Sequence, residues 1–443
     1  MTTQLDQGWT WETAGPVSVP RLGAWQRLSE RGAALVLAHP EVPEGTFRPN
    51  LVVRLGESGG ASLALLATRA VISSLRSLPG AHVVGHEEAT LGGHPARRQK
   101  ITYEEAGQAV CAVRWLCVIG GLSLEITCSF APEQLLGMEP LLHRMVSLAT
   151  VEAGPTTPPT TPPTTPPAGA PAATGPEPAL DRTASEHLGR PLEDLSRIAA
   201  VQPFVAGGHL VGDEALGLLM SRAEDRVGAV HPAEEGPLRA ELVAAGLLDA
   251  TGVPTTAGRQ LLAPLRERTF SFTVGASRAD LATSLTAWVG PAGAFLVSGP
   301  APAGDPATPA LGRSRVQAVN AASLPALIVS WLGVGPAWSY TGEHLALTAE
   351  AFARRLENGP VTSPPGRDPG LVRLWREPWL AWSLQDAGSE APASTWLSAG
   401  TAGQHLVFVN GTGGVELEPF QSAAVWSVLA RHVHDGMVRL GAY

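Results

Sequence analysis

The sequence predicts an α+β protein with two domains, residues 1–152 and 181–443, each an antiparallel sheet with helices, joined by a Thr/Pro-rich linker over 153–180. Three observations lead there. Pro155–Pro178 repeats Thr-Thr-Pro-Pro; proline fixes φ and removes a backbone donor, so an extended polyproline-II spacer is expected. Upstream, Gly120-Gly121 separates two alternating apolar runs, a two-residue hairpin signal. Downstream, Val425, Trp426, Leu429, Val433 and Met437 recur at helical spacing and make Gln421–Val438 a closing amphipathic helix.

In the first domain, Val17–Pro20 precedes Trp25, and Ala33–Ala38 and Leu51–Leu55 read as short strands. Leu65, Ala70, Ile72 and Leu75 give Leu63–Leu78 a helical period. His82–Glu88 and Gln99–Tyr103 alternate as strands, Val110–Ile119 and Leu122–Phe130 form the hairpin, and Pro132–Val151 closes the domain as a helix. With Gly120-Gly121 as the turn, Ile119 faces Leu122, Cys117 faces Leu124, Trp115 faces Ile126, Val113 faces Cys128 and Cys111 faces Phe130. Strand side chains alternate, so all of these share one face, and Arg114, Ser123, Glu125 and Thr127 take the other. The three cysteines are therefore expected as core hydrophobes. Their spacing is not that of a zinc or CxxC redox motif.

In the second domain Asp213–Arg226, Pro237–Ala245 and Thr255–Leu265 read as helices, with Gly246–Gly252 as a turn. Arg268–Gly275, Leu281–Val289 and Ala294–Ser298 read as strands. Ala321–Leu332 and Leu347–Leu356 read as helices; Leu371–Leu384, His405–Asn410 and Val415–Pro419 as strands, with a turn at Asn410–Gly414.

Composition excludes several functions. The chain has 443 residues, 44% of them hydrophobic, enough for real cores. Its net charge is −9, which disfavours nucleic-acid binding. Lys100 is the sole lysine; the other basic residues are arginine. No run reaches the roughly 18 apolar residues of a membrane helix. The first residues, MTTQLDQGWTWET, lack a basic and an apolar leader segment, so a cytoplasmic protein is expected.

The segments Val17-Ser-Val-Pro20, Gly23-Ala-Trp25, Phe47-Arg-Pro-Asn50-Leu-Val-Val53, Leu91-Gly-Gly-His-Pro-Ala96 and Ile101-Thr-Tyr-Glu104, with the Trp115–Phe130 hairpin, resemble the LpqN-type proteins of actinobacteria over residues 10–152. That resemblance implies a PsbP/Mog-like α/β/α sandwich with binding or assembly roles and no catalysis. Several members of that group are exported lipoproteins. This chain lacks their leader and lipid-attachment cysteine. Leu238-Arg-Ala-Glu-Leu-Val-Ala-Ala-Gly-Leu-Leu-Asp-Ala-Thr-Gly252, Leu261-Leu-Ala-Pro-Leu265 and the strand with Phe270 and Phe272 weakly resemble the EspG-like family of type VII (ESX) secretion over residues 236–435. This implies a cytosolic chaperone that holds secretion substrates.

Catalytic patterns fail one by one. A P-loop or a pyridoxal Schiff base needs a lysine, and Lys100 follows Arg97-Arg98-Gln99 outside any glycine-rich frame, on what reads as an exposed strand edge. Gly333-Val-Gly335 lacks the third glycine of a dinucleotide fingerprint, and Gly411–Gly414 precedes a strand. His86-Glu87-Glu88-Ala89-Thr90 lacks the second histidine of a zinc protease. His432 and His434, two apart on a helix, read as surface residues. No enzyme activity, cofactor or metal is expected. Trp375, Trp379 and Trp382 fall within eight residues, near Trp338 and Trp396 in sequence. Tryptophan is both a core filler and a binding hot spot, and these three are the candidate protein-binding residues. Protein partners are therefore expected, small helical secretion substrates among them. The alternative is a transcriptional regulator with a winged-helix-like segment at 236–266.

Overall fold

The computed structural model describes residues 8–152, short stretches of 180–208, and most of 209–441, with breaks at 224–231, 267–269, 280, 303–311, 338–344, 359–362, 365, 368, 390–393 and 412. The Thr/Pro repeat and Trp338 lie outside the described residues. The chain divides into two compact units, Met1–Ile198 and Ala199–Tyr443.

The first unit opens with β1 (Trp9–Ala14) and β2 (Val17–Leu22), then β3 (Gln26–Leu28), β4 (Leu35–Ala38), β5 (Asn50–Glu57) and α1 (Leu63–Ser77). There follow β6 (His82–Leu91), β7 (His94–Glu105), β8 (Gln108–Ile119), β9 (Leu122–Phe130), α2 (Leu135–Leu148) and β10 (Thr150–Val151). Seven strands form one antiparallel sheet in the order β3-β4-β5-β9-β8-β7-β6, while β1, β2 and β10 form a small second sheet. Ser62 caps α1 through the Leu65 N–H.

The register assigns the helices to opposite faces. Gln99 pairs with Arg114 and Lys100 with Val113, so adjacent residues of β7 point to opposite sides. Gln99 and Arg114 donate to the Ala67 and Ala70 carbonyls of α1 at 2.8 and 3.2 Å. On the other side Lys100 meets Glu139 of α2 at 2.7 Å, and Trp115 packs edge-on against His143 of α2 with centroids 5.1 Å apart. This is the α/β/α sandwich the sequence predicts. The β8–β9 register agrees at every predicted pair, from Ile119↔Leu122 to Cys111↔Phe130. Two expectations change. The closing helix stops at Leu148, because Thr150 and Val151 pair with Ser18 and Val17 of β2. Lys100 is 4% exposed in an interior strand, not on an exposed edge.

The second unit comprises β11 (His209–Gly212), α3 (Asp213–Ala223), α4 (Pro232–Ala244) and α5 (Thr256–Leu262), then β12 (Phe270–Arg278), β13 (Leu281–Gly290), β14 (Gly293–Ser298), β15 (Arg313–Val319) and α6 (Leu324–Leu332). It continues with β16 (Leu345–Thr348), α7 (Ala349–Asn358), α8 (Pro369–Arg376), β17 (Leu380–Asp386), β18 (Ser394–Ser398), β19 (Gln404–Val409), β20 (Gly414–Phe420) and α9 (Ser422–Arg439). The sheet order is β11-β15-β14-β13-β12-β17-β18-β19-β20-β16, antiparallel throughout. Each half runs edge strand, helices, four-strand meander and closing helix, and the halves join at β12·β17. The unit is a topological duplication about that seam. Leu371–Leu384, expected as one strand, and Leu347–Leu356, expected as one helix, are each divided. Pro378 instead separates α8 from β17, since proline cannot supply the next helical donor. Leu345–Thr348 leaves the helix to pair with β20.

Cys111, Cys117 and Cys128 are free and buried. Burial pushes the Cys111 thiol up to about 12 and raises that of Cys128 as well. Since the thiolate is the reactive form, a thiol reagent should label all three at least about a hundredfold more slowly in native protein than in denaturant. Rapid native labelling, or a native disulfide, would contradict this core.

Candidate functional site

The site grows out of the seam. Along β12, Phe272, Val274 and Ala276 are buried, whereas Ser271, Thr273, Gly275 and Ser277 are only partly so. β17 repeats the alternation, with Leu380, Trp382 and Leu384 buried and Ala381, Ser383 and Gln385 outward. In β13 Leu285, Ala287 and Val289 are buried, and Ser284, Thr286 and Trp288 are not. The register places all the outward residues on one face: Gly275 opposite Ser383, Thr273 opposite Thr286, Ser271 opposite Trp288. The Thr273 and Thr286 hydroxyls are 3.0 Å apart.

The other face is covered by α9. His432 packs edge-on against Phe272 at 5.0 Å and contacts Asp386 at 3.0 Å, which replaces the surface position expected for it. A Cβ at Gly436 would collide with the Phe270 ring, so a glycine is needed for α9 to lie this close. α6 packs beside α9.

The open face is covered only towards its two ends. At one end, Leu216, Leu219, Leu242, Leu247, Leu261 and Leu262 of α3–α5 and their turn pack on Phe295 and Val316 of β14 and β15. At the other, Leu371, Leu374 and Trp375 of α8, with Phe352 of α7 partly buried, pack with Trp379 on Leu397, Val415 and Leu417. The strands between these lobes are β12 and β17, with β13 at the margin, where Ala263–Arg266 of the first lobe contacts it and Trp288 packs against that lobe. Adjacent strands lie about 4.8 Å apart, so the strands from β13 to β18 span roughly 14 Å. An α-helix with side chains is about 10–12 Å wide. That span is close to the width of one helix. Among the described residues, the floor of this groove carries no charged side chain. Small residues and Gly275 on interior strands let another backbone approach closely. Trp288, half-buried beside Phe295 with centroids 5.6 Å apart, is the one large ring on that floor among the described residues.

The predicted tryptophans stand elsewhere. Trp375, Trp379 and Trp382 are 4, 4 and 2% exposed. Trp375 and Trp379 pack at 5.2 Å inside the second lobe, while Trp382 lies on the opposite face, stacked on Trp396 at 5.3 Å. Pro378 divides the cluster between two sides of the sheet, and all three rings are buried in the core. Arg355 locks the pair in the lobe. It donates to the Trp375 carbonyl at 3.0 and 2.6 Å and the Glu377 carbonyl at 2.6 Å, and its guanidinium lies 4.6 Å from the Trp379 ring centre. Trp288 could have been found in the sequence, as an aromatic in phase with Ser284 and Thr286 rather than with Leu285 and Val289.

The helix–turn–helix expected at 236–266 forms as α4 and α5. Both helices commit leucines to the sheet, and Arg259 bonds its own loop at Pro254 and Thr256. Arg268 lies outside the described residues. Among the described residues no group of three His, Cys, Asp or Glu is placed to hold a metal, and no helix is long and apolar enough to cross a membrane.

The chain matches no family model and no curated protein. Solved structures do match parts of it. LpqN is among them. The Mycobacterium tuberculosis LpqN structure, described as involved in cell envelope biogenesis, is 18% identical over 32% of this chain and 90% of its own, with a TM-score of 0.28. Cyanobacterial PsbP from Synechocystis is 13% identical over 34% of this chain and 97% of its own, TM-score 0.28. A Pseudomonas aeruginosa protein of unknown function, described as a putative regulator, is 17% identical over 31% and 92%, TM-score 0.24. None of these three is EspG-like.

His405 provides a pH probe of the second lobe. It is 1% exposed on β19, and neither ring nitrogen has a hydrogen-bond partner among the described residues. Burial pushes its pKa from 6.5 down to about 4. The unfolded chain takes up this proton first, so stability is complete above pH 6.5 and is lost as pH falls towards 4. By pH 4.5 the loss from this group is about 2–3 kcal/mol. Urea unfolding followed by tryptophan fluorescence should show His405→Leu losing that much less stability than wild type between pH 7.5 and 4.5. Equal losses would assign the acid sensitivity to other groups.

Proposed function

We propose that this chain is a non-enzymatic protein-binding protein, and that its second unit seats one α-helix of a partner in the open groove over β13, β12 and β17. The observation that supports this reading most is the floor: three interior strands of a ten-stranded sheet present Ser, Thr, Gly and Ala between two helical lobes. Interior strands otherwise favour β-branched and aromatic residues, so the small floor trades strand propensity for close approach. Trp288 supplies the aromatic anchor at one end. Following the EspG-like resemblance of residues 236–435, the partner class is small helical secretion substrates, and the chain acts as a type VII secretion chaperone. The occupant rests a polar or small-residue face on the hydroxyls rather than burying a greasy stripe. The non-enzymatic reading rests on the failed catalytic motifs.

Three variants test the groove in a capture assay with co-expressed small helical secretion substrates. Ser383→Arg places a long cation on an open floor. It should lower capture at least about tenfold while leaving thermal stability nearly unchanged. Trp288→Ala should cost about 2 kcal/mol of binding, roughly thirtyfold. Trp382→Ala removes a core ring and should cost about 3–5 kcal/mol of stability. Full capture by Ser383→Arg would remove the groove as the site. No capture by wild type would remove the chaperone reading.

A further inference from the structure

The chain's amine chemistry is concentrated in one buried residue. Thirty of the thirty-one basic residues are arginine, and Lys100 is the remaining one. Guanidinium groups stay protonated and do not act as acyl acceptors at neutral pH. Lys100 sits on β7, with β6 on one side and β8 on the other, and its side chain lies under α2. It is 4% exposed, and its Nζ donates to Glu139 Oε1 at 2.7 Å. Val113 is its cross-strand neighbour on β8. The Cys111 thiol and the His143 ring are close enough to feel its charge. α2 covers Nζ from its side of the sheet.

We propose that Lys100 is a conditional modification site: lysine-directed acylation is closed in the folded first unit and opens only when α2 detaches. The donor is an activated acyl compound, such as a thioester or acyl phosphate. The ammonium loses a proton, Nζ forms an amide with the acyl carbon, and the acyl bond to the leaving group breaks. A second proton leaves the nitrogen, and the leaving group departs with the bonding electron pair. The product has no ammonium for Glu139, so α2 does not re-dock over it as before. A single acylation therefore records and prolongs the open state. In the folded protein, side-chain tagging chemistry that requires lysine has no substrate.

The test uses the full chain, an N-hydroxysuccinimide acetate probe at pH 8, and peptide mass spectrometry. Arg144→Lys, at an exposed position on α2, supplies an internal reference amine. In native Arg144→Lys protein, Lys100 should acetylate at least a hundredfold more slowly than the introduced lysine; in urea the two rates should converge. Glu139→Gln removes the charge partner while keeping the helix. It should speed native labelling of Lys100 without reaching the reference rate. After acetylation in urea and refolding, the modified protein should show faster thiol labelling of Cys111 than a mock-treated control. Native Lys100 labelling within threefold of the reference would overturn the proposal. So would native-rate protection of Cys111 after acetylation.

Discussion

The pairing of β12 with β17 is the constraint on which the second unit depends. It joins two meanders into one sheet, with Val274 opposite Leu384 and Gly275 opposite Ser383. Because strand side chains alternate, fixing one such pair fixes both faces of the seam; a one-residue slip would send Trp382 and Phe272 to solvent and the serines into the core. The apolar face then has to be covered, and α9 does so closely enough that Gly436 meets the Phe270 ring. The other face is left free of that demand. Its small polar residues need no covering layer, so the helices of each half can gather over the outer strands. The groove is thus a consequence of how the two halves are joined.

The second lobe has to stay in place for that groove to keep its width. α8 is only eight residues long, too short to be stable by itself. Arg355 holds its C-terminal end by donating to the Trp375 and Glu377 carbonyls, just before Pro378 ends the helix. Arg373 and Glu377 both reach Thr401, tying the helix to the β18–β19 connection. A buried guanidinium is costly unless its donors are met. Here the carbonyls and the two indole faces meet it, and the same contacts immobilise Trp375 and Trp379. The tryptophans are dense in sequence because the lobe needs a rigid wall.

Much of the first unit was legible because its signals are local. Gly120-Gly121 sets the hairpin, and the hairpin register alone determines that Cys111, Cys117 and Cys128 share the α2 face. Lys100 was misplaced because an alternating strand does not reveal what covers it; only the neighbouring strands and Glu139, far away in sequence, make that position interior. In the second unit three of the four strands of the first meander were readable, whereas β15, β18 and α8 were not. Leu371, Leu374 and Trp375 suit either period over so few residues, and the deciding contacts come from Arg355 and Leu397. The duplication was hidden because it lives in strand order, not in matching residues. The groove was half visible: the alternation of β12 is plain in Ser-Phe-Thr-Val-Gly-Ala-Ser, but that its polar side lies between two lobes depends on long-range pairing.

The two units handle polar groups on their sheets in opposite ways. In the first, both faces are covered, and the polar residues that face the helices are paired across the layers, Gln99 with the Ala67 carbonyl and Lys100 with Glu139. Such pairs hold a helix in a fixed position, since each would be left buried and unmatched by a shift. That unit is built to stay closed. In the second, the central polar residues are hydroxyls that water can satisfy until a partner displaces it. They exact no penalty while the groove is empty and lose little when a helix brings its own polar surface. Under the proposed binding role, a floor of that kind favours an occupant that comes and goes over one that is buried for good.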